Sequence, residues 1–181
     1  MTKITITEAL SEVNLVKKKI VARTAEISPY VTRYSNITDP FEKSGGSSTK
    51  INADMQAIRD LSVRLQKLRH EISQANLTNT MTVEGETKSI HDWLTWKREV
   101  YDVQRTLLGN TITQVRQAHA KLSGQSPPAF RDDKTGEPKF ASLIVNVDLD
   151  ALTKELEKVE QLHERLDGQL SLKNATITVE I

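Results

Sequence analysis

The residues whose types admit acid–base or metal chemistry are four histidines, His70, His91, His119 and His163, and a carboxylate series, Glu157, Glu160 and Glu164. A histidine beside a carboxylate can act as a general base or a metal ligand when both face one site. His70-Glu71 and His163-Glu164 are adjacent in the chain, and neighbours on a helix point about 100° apart, so neither pair chelates alone. Glu157 and Glu160 have the E-x-x-E spacing that can hold magnesium on facing helices, with Glu164 one turn further. All three fall on the outer side of a leucine seam, where solvated charges belong. Nucleophilic and nucleotide chemistry lack their motifs: there is no G-x-S-x-G elbow, no P-loop, no G-x-G-x-x-G and no H-E-x-x-H. Cysteine is absent, which removes thiolate zinc sites, disulfides and a Cys nucleophile. The expectation is a chain without catalytic, cofactor-binding or metal-binding residues.

The elements that would position such residues are helices with narrow apolar stripes. Thr5-Ile6-Thr7-Glu8 fits a capping box at the start of the first helix. Leu10, Val13, Ile20 and Ile27 follow at heptad-like spacing, and Pro29 ends the helix. Residues 30–50, with Asp39-Pro40 and Ser44-Gly45-Gly46-Ser47-Ser48, read as a flexible loop. Ile51, Met55, Ile58, Leu61, Leu65, Leu68, Ile72 and Ala75 form the seam of a second helix. A third helix is expected from Ile90 to about Leu122 on the repeat Leu94, Tyr101, Leu108, Val115, Leu122, and at about 1.5 Å per residue it spans about 50 Å. Residues 123–140, with Pro127-Pro128, Asp132-Asp133 and Gly136, read as a second loop, followed by a short extended run at Leu143-Ile144-Val145. Asp148 can cap a fourth helix with the seam Leu149, Leu152, Leu156, Val159, His163, Leu166 and Leu170. His163 is the one polar residue of that seam, read as a partly buried histidine satisfied across the bundle, with a pH-sensitive contact or a ligand role as the alternatives.

Between the second and third helices lies Asn76–Leu94, where polar residues cluster. Asn76 and Asn79 suit a helix end in the left-handed conformation. Thr80-Met81-Thr82-Val83 alternates like half of a hairpin turned by Glu84-Gly85, and Ser89-Ile90-His91-Asp92 fits a capping box for the third helix. The alternation of Asp or Asn closed by Glu that a calcium loop requires is missing. Trp93 and Trp96 then lie near one helix face, either packed against a neighbour or exposed as anchors for a partner. At the chain ends, Lys3-Ile4-Thr5-Ile6 and Thr176-Ile177-Thr178-Val179-Glu180-Ile181 alternate as strands. They can pair with each other or offer an edge to a neighbouring chain, and the second option places Ile177, Val179 and Ile181 at an interface.

Composition narrows the class of partner. Apolar residues are 37% and charged residues 27% of 181, with eight aromatics, a balance suited to amphipathic helices that each bury one stripe. A net charge of +1 gives no field to draw the chain to nucleic acid or an anionic membrane, and Lys17-Lys18-Lys19 reads as a solvated helix face. No apolar window is long enough to span a membrane, and no signal peptide is visible, so the sequons at Asn36, Asn76 and Asn174 are read as chance.

Four short motifs in order carry a family resemblance: Glu8-Ala9-Leu10; Asn76-Leu77-Thr78-Asn79; the Gly85 turn before a helix started at Ser89; and Val147-Asp148-Leu149-Asp150-Ala151-Leu152, continuing to Leu166-Asp167 and Asn174. On these the chain resembles a small, poorly characterised family of helical-hairpin proteins of bacteria and phage, some of which carry the label septicolysin. It departs from that pattern in a longer 30–50 loop and in His163, where the family usually has an aromatic. The resemblance implies a helical fold and no particular reaction. Residues 1–181 are thus expected to form a single helical domain, mainly α, as an elongated four-helix bundle or paired long helical hairpins with coiled-coil-like seams, a short hairpin, terminal β-strands and a C-terminal strand at about 175–181. The expected function is that of a non-catalytic, self-associating structural or scaffold protein, a homo-oligomer that also meets other assembly subunits, in the cytoplasm or a virus particle. The alternative is a metal-assisted hydrolase on a helical bundle.

Overall fold

The computed structural model describes residues 2–124, 128–132 and 134–181, with the backbone alone for 122–124. The Leu122 side chain, Pro127 and Asp133 therefore lie outside the described residues. The fold is mainly α: β1 (Lys3–Thr5), α1 (Ile6–Ile27), α2 (Gly46–Thr78), the hairpin β2 (Thr80–Val83) and β3 (Glu86–Ser89), α3 (Ile90–Thr95), a π-helical turn (Trp96–Val100), α4 (Tyr101–Gly124), the hairpin β4 (Ala129–Arg131) and β5 (Pro138–Phe140), α5 (Leu149–Thr176) and β6 (Thr178–Glu180). The chain divides into two compact units: Met1–Met81, Ser89–His91 and Gln169–Ile181 form the first; Thr82–Lys88 and Asp92–Gly168 form the second.

In the first unit the capping box forms as the sequence implies. The Glu8 backbone N–H donates to Thr5 Oγ1 at 3.2 Å, and Thr5 N–H donates to Glu8 Oε2 at 2.7 Å. The helix ends at Ile27, before a 3₁₀ turn at Ser28–Tyr30 that takes Pro29 in its first turn. α1 and α2 run antiparallel, tied by Arg23 to Asp54 at 2.5 Å and by Arg64 to Glu12. Their core joins Ile6, Ala9, Val13 and Val16 to Leu68, Ile72, Ala75 and Val179, with Leu10, Ile20, Leu61 and Leu65 partly buried around it. The buried stripe of α1, Ile6, Ala9, Val13 and Val16, steps by 3, 4 and 3 along one helix face, with Leu10 and Ile20 of the expected seam partly buried beside it.

The 30–50 segment is more built than a flexible loop. The Asp39 carboxylate accepts hydrogen bonds from the backbone N–H groups of Phe41 and Ser47, each at 2.9 Å, and from Ser47 Oγ at 2.6 Å. These donors hold its pKa at about 2, well below the ordinary carboxylate range. Gly45 and Gly46, both with positive φ, turn the chain so that α2 begins several residues ahead of Ile51.

The chain ends pair with each other. β1 and β6 are antiparallel in the register Lys3↔Glu180, Ile4↔Val179, Thr5↔Thr178, and Thr2 and Ile181 exchange two backbone hydrogen bonds of 3.1 Å. Of the two pairings open to the chain ends, the structure has the one within the chain, as a two-stranded sheet.

In the second unit α4 and α5 run antiparallel, with Lys97 paired to Asp167 and Arg105 to Glu160. α5 starts as expected: Asp148 Oδ1 accepts the Ala151 N–H at 3.0 Å. Within the segment read as a loop, 123–140, Ala129–Arg131 and Pro138–Phe140 instead form a hairpin in the register Ala129↔Phe140, Phe130↔Lys139, Arg131↔Pro138. Asp132 organises its turn, accepting the Lys134 N–H at 2.8 Å on its carboxylate and the Gly136 N–H at 2.8 Å on its backbone carbonyl. Leu143-Ile144-Val145, expected to be extended, joins no strand.

Candidate functional site

The expected third helix is continuous from Ile90 but is not α throughout. At Trp96–Val100 it widens into a π turn, where the Tyr101 N–H donates to the Trp96 carbonyl five residues back. That bond brings Trp96 and Tyr101 to one side, with ring centroids 5.8 Å apart. Trp93 meets Trp96 edge-on at 6.3 Å, and Tyr101 stacks on His163 of α5 at 3.9 Å with the rings 13° from parallel. The result is a row of four rings in the second unit. His163 is half-buried, and its ring packs across the helix pair on Tyr101. Ion pairs flank the row: Lys97 with Asp167, Arg105 Nε with Glu160 at 3.0 Å, and Arg165 with Glu84. Lys88 Nζ lies 4.8 Å from the Trp93 ring centroid.

Of the residues nominated as partner contacts, Trp93 is 0% exposed and belongs to the interior, so it is not an exposed anchor. Trp96 is half-buried. Val179 is buried in the first unit's core, with Ile177 and Ile181 packed against it, so these three side chains hold the terminal strand in place. The structure brings the two tryptophans together and the three strand residues together.

The acid–base residues are dispersed. His70, His91 and His119 are exposed, as are Glu157 and Glu164, while Glu160 is engaged by Arg105. Among the described residues, no three His, Asp or Glu side chains gather where they could hold a metal ion. Asp54 is the carboxylate that sequence reading missed: it is 4% exposed and takes Arg23 at 2.5 Å and Lys50 at 2.6 Å. The Lys50 hydrogen bond, above all, lowers its pKa. Its place one residue before Met55 in the α2 seam was the available signal. In the first unit, a groove of about 860 Å³ runs along the α1–α2 pair, lined by Lys19, Ala22, Arg23, Leu61, Arg64 and Ile181. Its arginines are already paired, Arg23 to Asp54 and Arg64 to Glu12, so it presents little uncompensated charge.

No family model matches the chain, and no curated protein or solved structure is similar to it.

Surface rather than cavity is what the site geometry offers. The glutamate turn between β2 and β3 places Glu84 and Gly85 at φ 51° and 83°, the conformation of a two-residue hairpin, and Thr82 and Thr87 share a 2.7 Å hydroxyl hydrogen bond across it. Asn79 ends α2 in an extended conformation, φ −97°, rather than the left-handed one expected, and its side-chain amide donates to the Ala75 carbonyl at 2.8 Å. Asn76 Oδ1 is buried without a hydrogen-bond partner, and nothing in the structure explains it. Asn79, Thr82, Glu84, Gly85 and Thr87 of this cluster thus serve the end of one helix and the turn of the hairpin. No helix among the described residues is long and apolar enough to cross a membrane.

Proposed function

We propose that this chain is a non-catalytic, self-associating helical protein, a structural or scaffold part of a larger assembly such as a virus particle. The observation that supports this is large apolar surface left in water in both units. Val21 and Val63 stand out from the first unit; Val103, Leu107, Phe130, Phe140 and Ile144 stand out from the second, each more than half exposed. Single exposed apolar residues are ordinary. Val103 and Leu107, however, are one turn apart on the same helix face, and both faces of the β4–β5 hairpin carry a phenylalanine. A two-stranded hairpin with no residue buried is marginal in water on its own, which favours a partner that covers it.

Light scattering on the purified chain at micromolar concentration tests the proposal, with a mass of two or more copies expected. A monomer at every concentration reached would defeat it. Among the described residues, no cluster of three His, Asp or Glu favours the hydrolase alternative. Thermal-shift titration with magnesium, manganese and nucleoside triphosphates checks it, and a strong stabilisation by any of them would put that reading first.

A further inference from the structure

We infer that a cleft in the 29–47 segment of the first unit binds an extended proline-rich segment of a partner protein. The cleft has a volume of about 570 Å³ and is walled by Pro29, Tyr30, Arg33, Tyr34, Ile37 and Pro40. That lies within the range of about 300–1,000 Å³ usual for ligand sites. Its walls are tied down before any ligand arrives. Tyr30 meets Phe41 edge-on at 4.9 Å, and Arg33 Nη1 donates to the Ile37 carbonyl at 2.8 Å. The Ile37 N–H donates in turn to the Tyr34 carbonyl at 3.1 Å, and Asp39 binds both Phe41 and Ser47. A site held in this way loses little freedom on binding. From this frame the Tyr34 side chain stands out, 79% exposed.

The hydrogen-bonding groups select the ligand. Two acceptors at the cleft are already spent: the Asp39 carboxylate takes three donors and the Ile37 carbonyl takes Arg33. Donors remain, in the other guanidinium N–H groups of Arg33 and in the hydroxyls of Tyr30, Thr32 and Tyr34, which bind nothing else among the described residues. A sugar would bring hydroxyl donors to acceptors that are taken. An anion would meet, in Arg33, a charge offset by Asp39 3.8 Å away. A proline-rich segment satisfies both conditions, because it is neutral, its carbonyls accept, and its prolines have no N–H to place. Its ring faces pack against aromatic side chains, and the polyproline II form is extended in advance, so little order has to be imposed on it.

This surface is separate from self-association, and a monomeric wild type would leave it standing. Fluorescence anisotropy of a fluorescein-labelled decaproline, titrated with the full chain, tests it. The signal should rise to saturation, while a labelled peptide of alternating glycine and serine should give none and inorganic phosphate should not displace the decaproline. Tyr34→Ala should weaken binding about tenfold or more, as removal of an aromatic hot spot does, with helical circular dichroism unchanged because the side chain is mostly in water. Tyr34→Phe, which keeps the ring, should retain most of the affinity, and Val21→Ala, at an exposed position of α1, should bind as the wild type does. No saturable rise with decaproline, an equal rise with the glycine–serine peptide, or undiminished binding by Tyr34→Ala overturns the inference. Displacement by phosphate overturns it as well, by making the cleft an anion site.

Discussion

Trp93 shows how a side chain that looks like a partner's anchor can belong to the interior. It is fully buried, while Trp96, three residues on, is half-buried between Trp93 and Tyr101. Trp93→Ala should therefore cost about 3–5 kcal/mol in urea unfolding, and Trp96→Ala clearly less. Equal losses would mean that the two rings share one environment. Asp39 makes a prediction in pH. Its hydrogen bonds lower its pKa in the folded state to about 2 from 3.8. Its stabilising contribution is thus complete above pH 4 and is lost as the pH falls through the folded value. The melting temperature of Asp39→Asn should lie below that of the wild type at pH 6, and the gap should close toward pH 2. A gap that stays constant would place the effect in shape rather than charge.

At the scale of elements, short-range rules did most of what could be read in advance. The Thr5–Glu8 box, the Asp148 cap and the Glu84-Gly85 turn each depend on residues within a few positions of one another, and each stands where the sequence put it. Thr5→Ala should cost about 1 kcal/mol, read in urea unfolding. Glu84 holds φ 51°, which a residue with a side chain adopts at a cost of about 1–2 kcal/mol, and asparagine tolerates that conformation better. Glu84→Asn should raise the melting temperature even though it gives up the exposed pair with Arg165, and a lower melting temperature would show that the pair matters more than the turn. What could not be read has a physical reason in each case. The π turn at Trp96–Val100 leaves no trace in an apolar repeat, because Leu94 and Tyr101 keep heptad spacing whichever hydrogen bonds lie between them. Strands β4 and β5 are three residues each, too short for alternation to show. The stacking of Tyr101 on His163 joins residues 62 apart, which only tertiary structure brings together.

At the scale of the molecule, the first unit draws on Met1–Met81, Ser89–His91 and Gln169–Ile181, and the second on the residues between them. Val179 sits in the same core as Ile6, Val13 and Leu68, so removing residues 177–181 should lower the melting temperature of the first unit and broaden its transition. An unchanged melt would show that the α1–α2 pair suffices alone. The pairing of β1 with β6 also carries a consequence for the order of events in synthesis. The second unit draws on residues that have all been made by Gly168 and can assemble as soon as they emerge. The first unit holds an unfinished core, apolar face open, from the time α1 and α2 form until the last strand arrives. Helices α1 and α2, made before the second unit, are thus closed after it, and through that interval Ile6, Val13 and Ile72 lack the cover that Val179 brings.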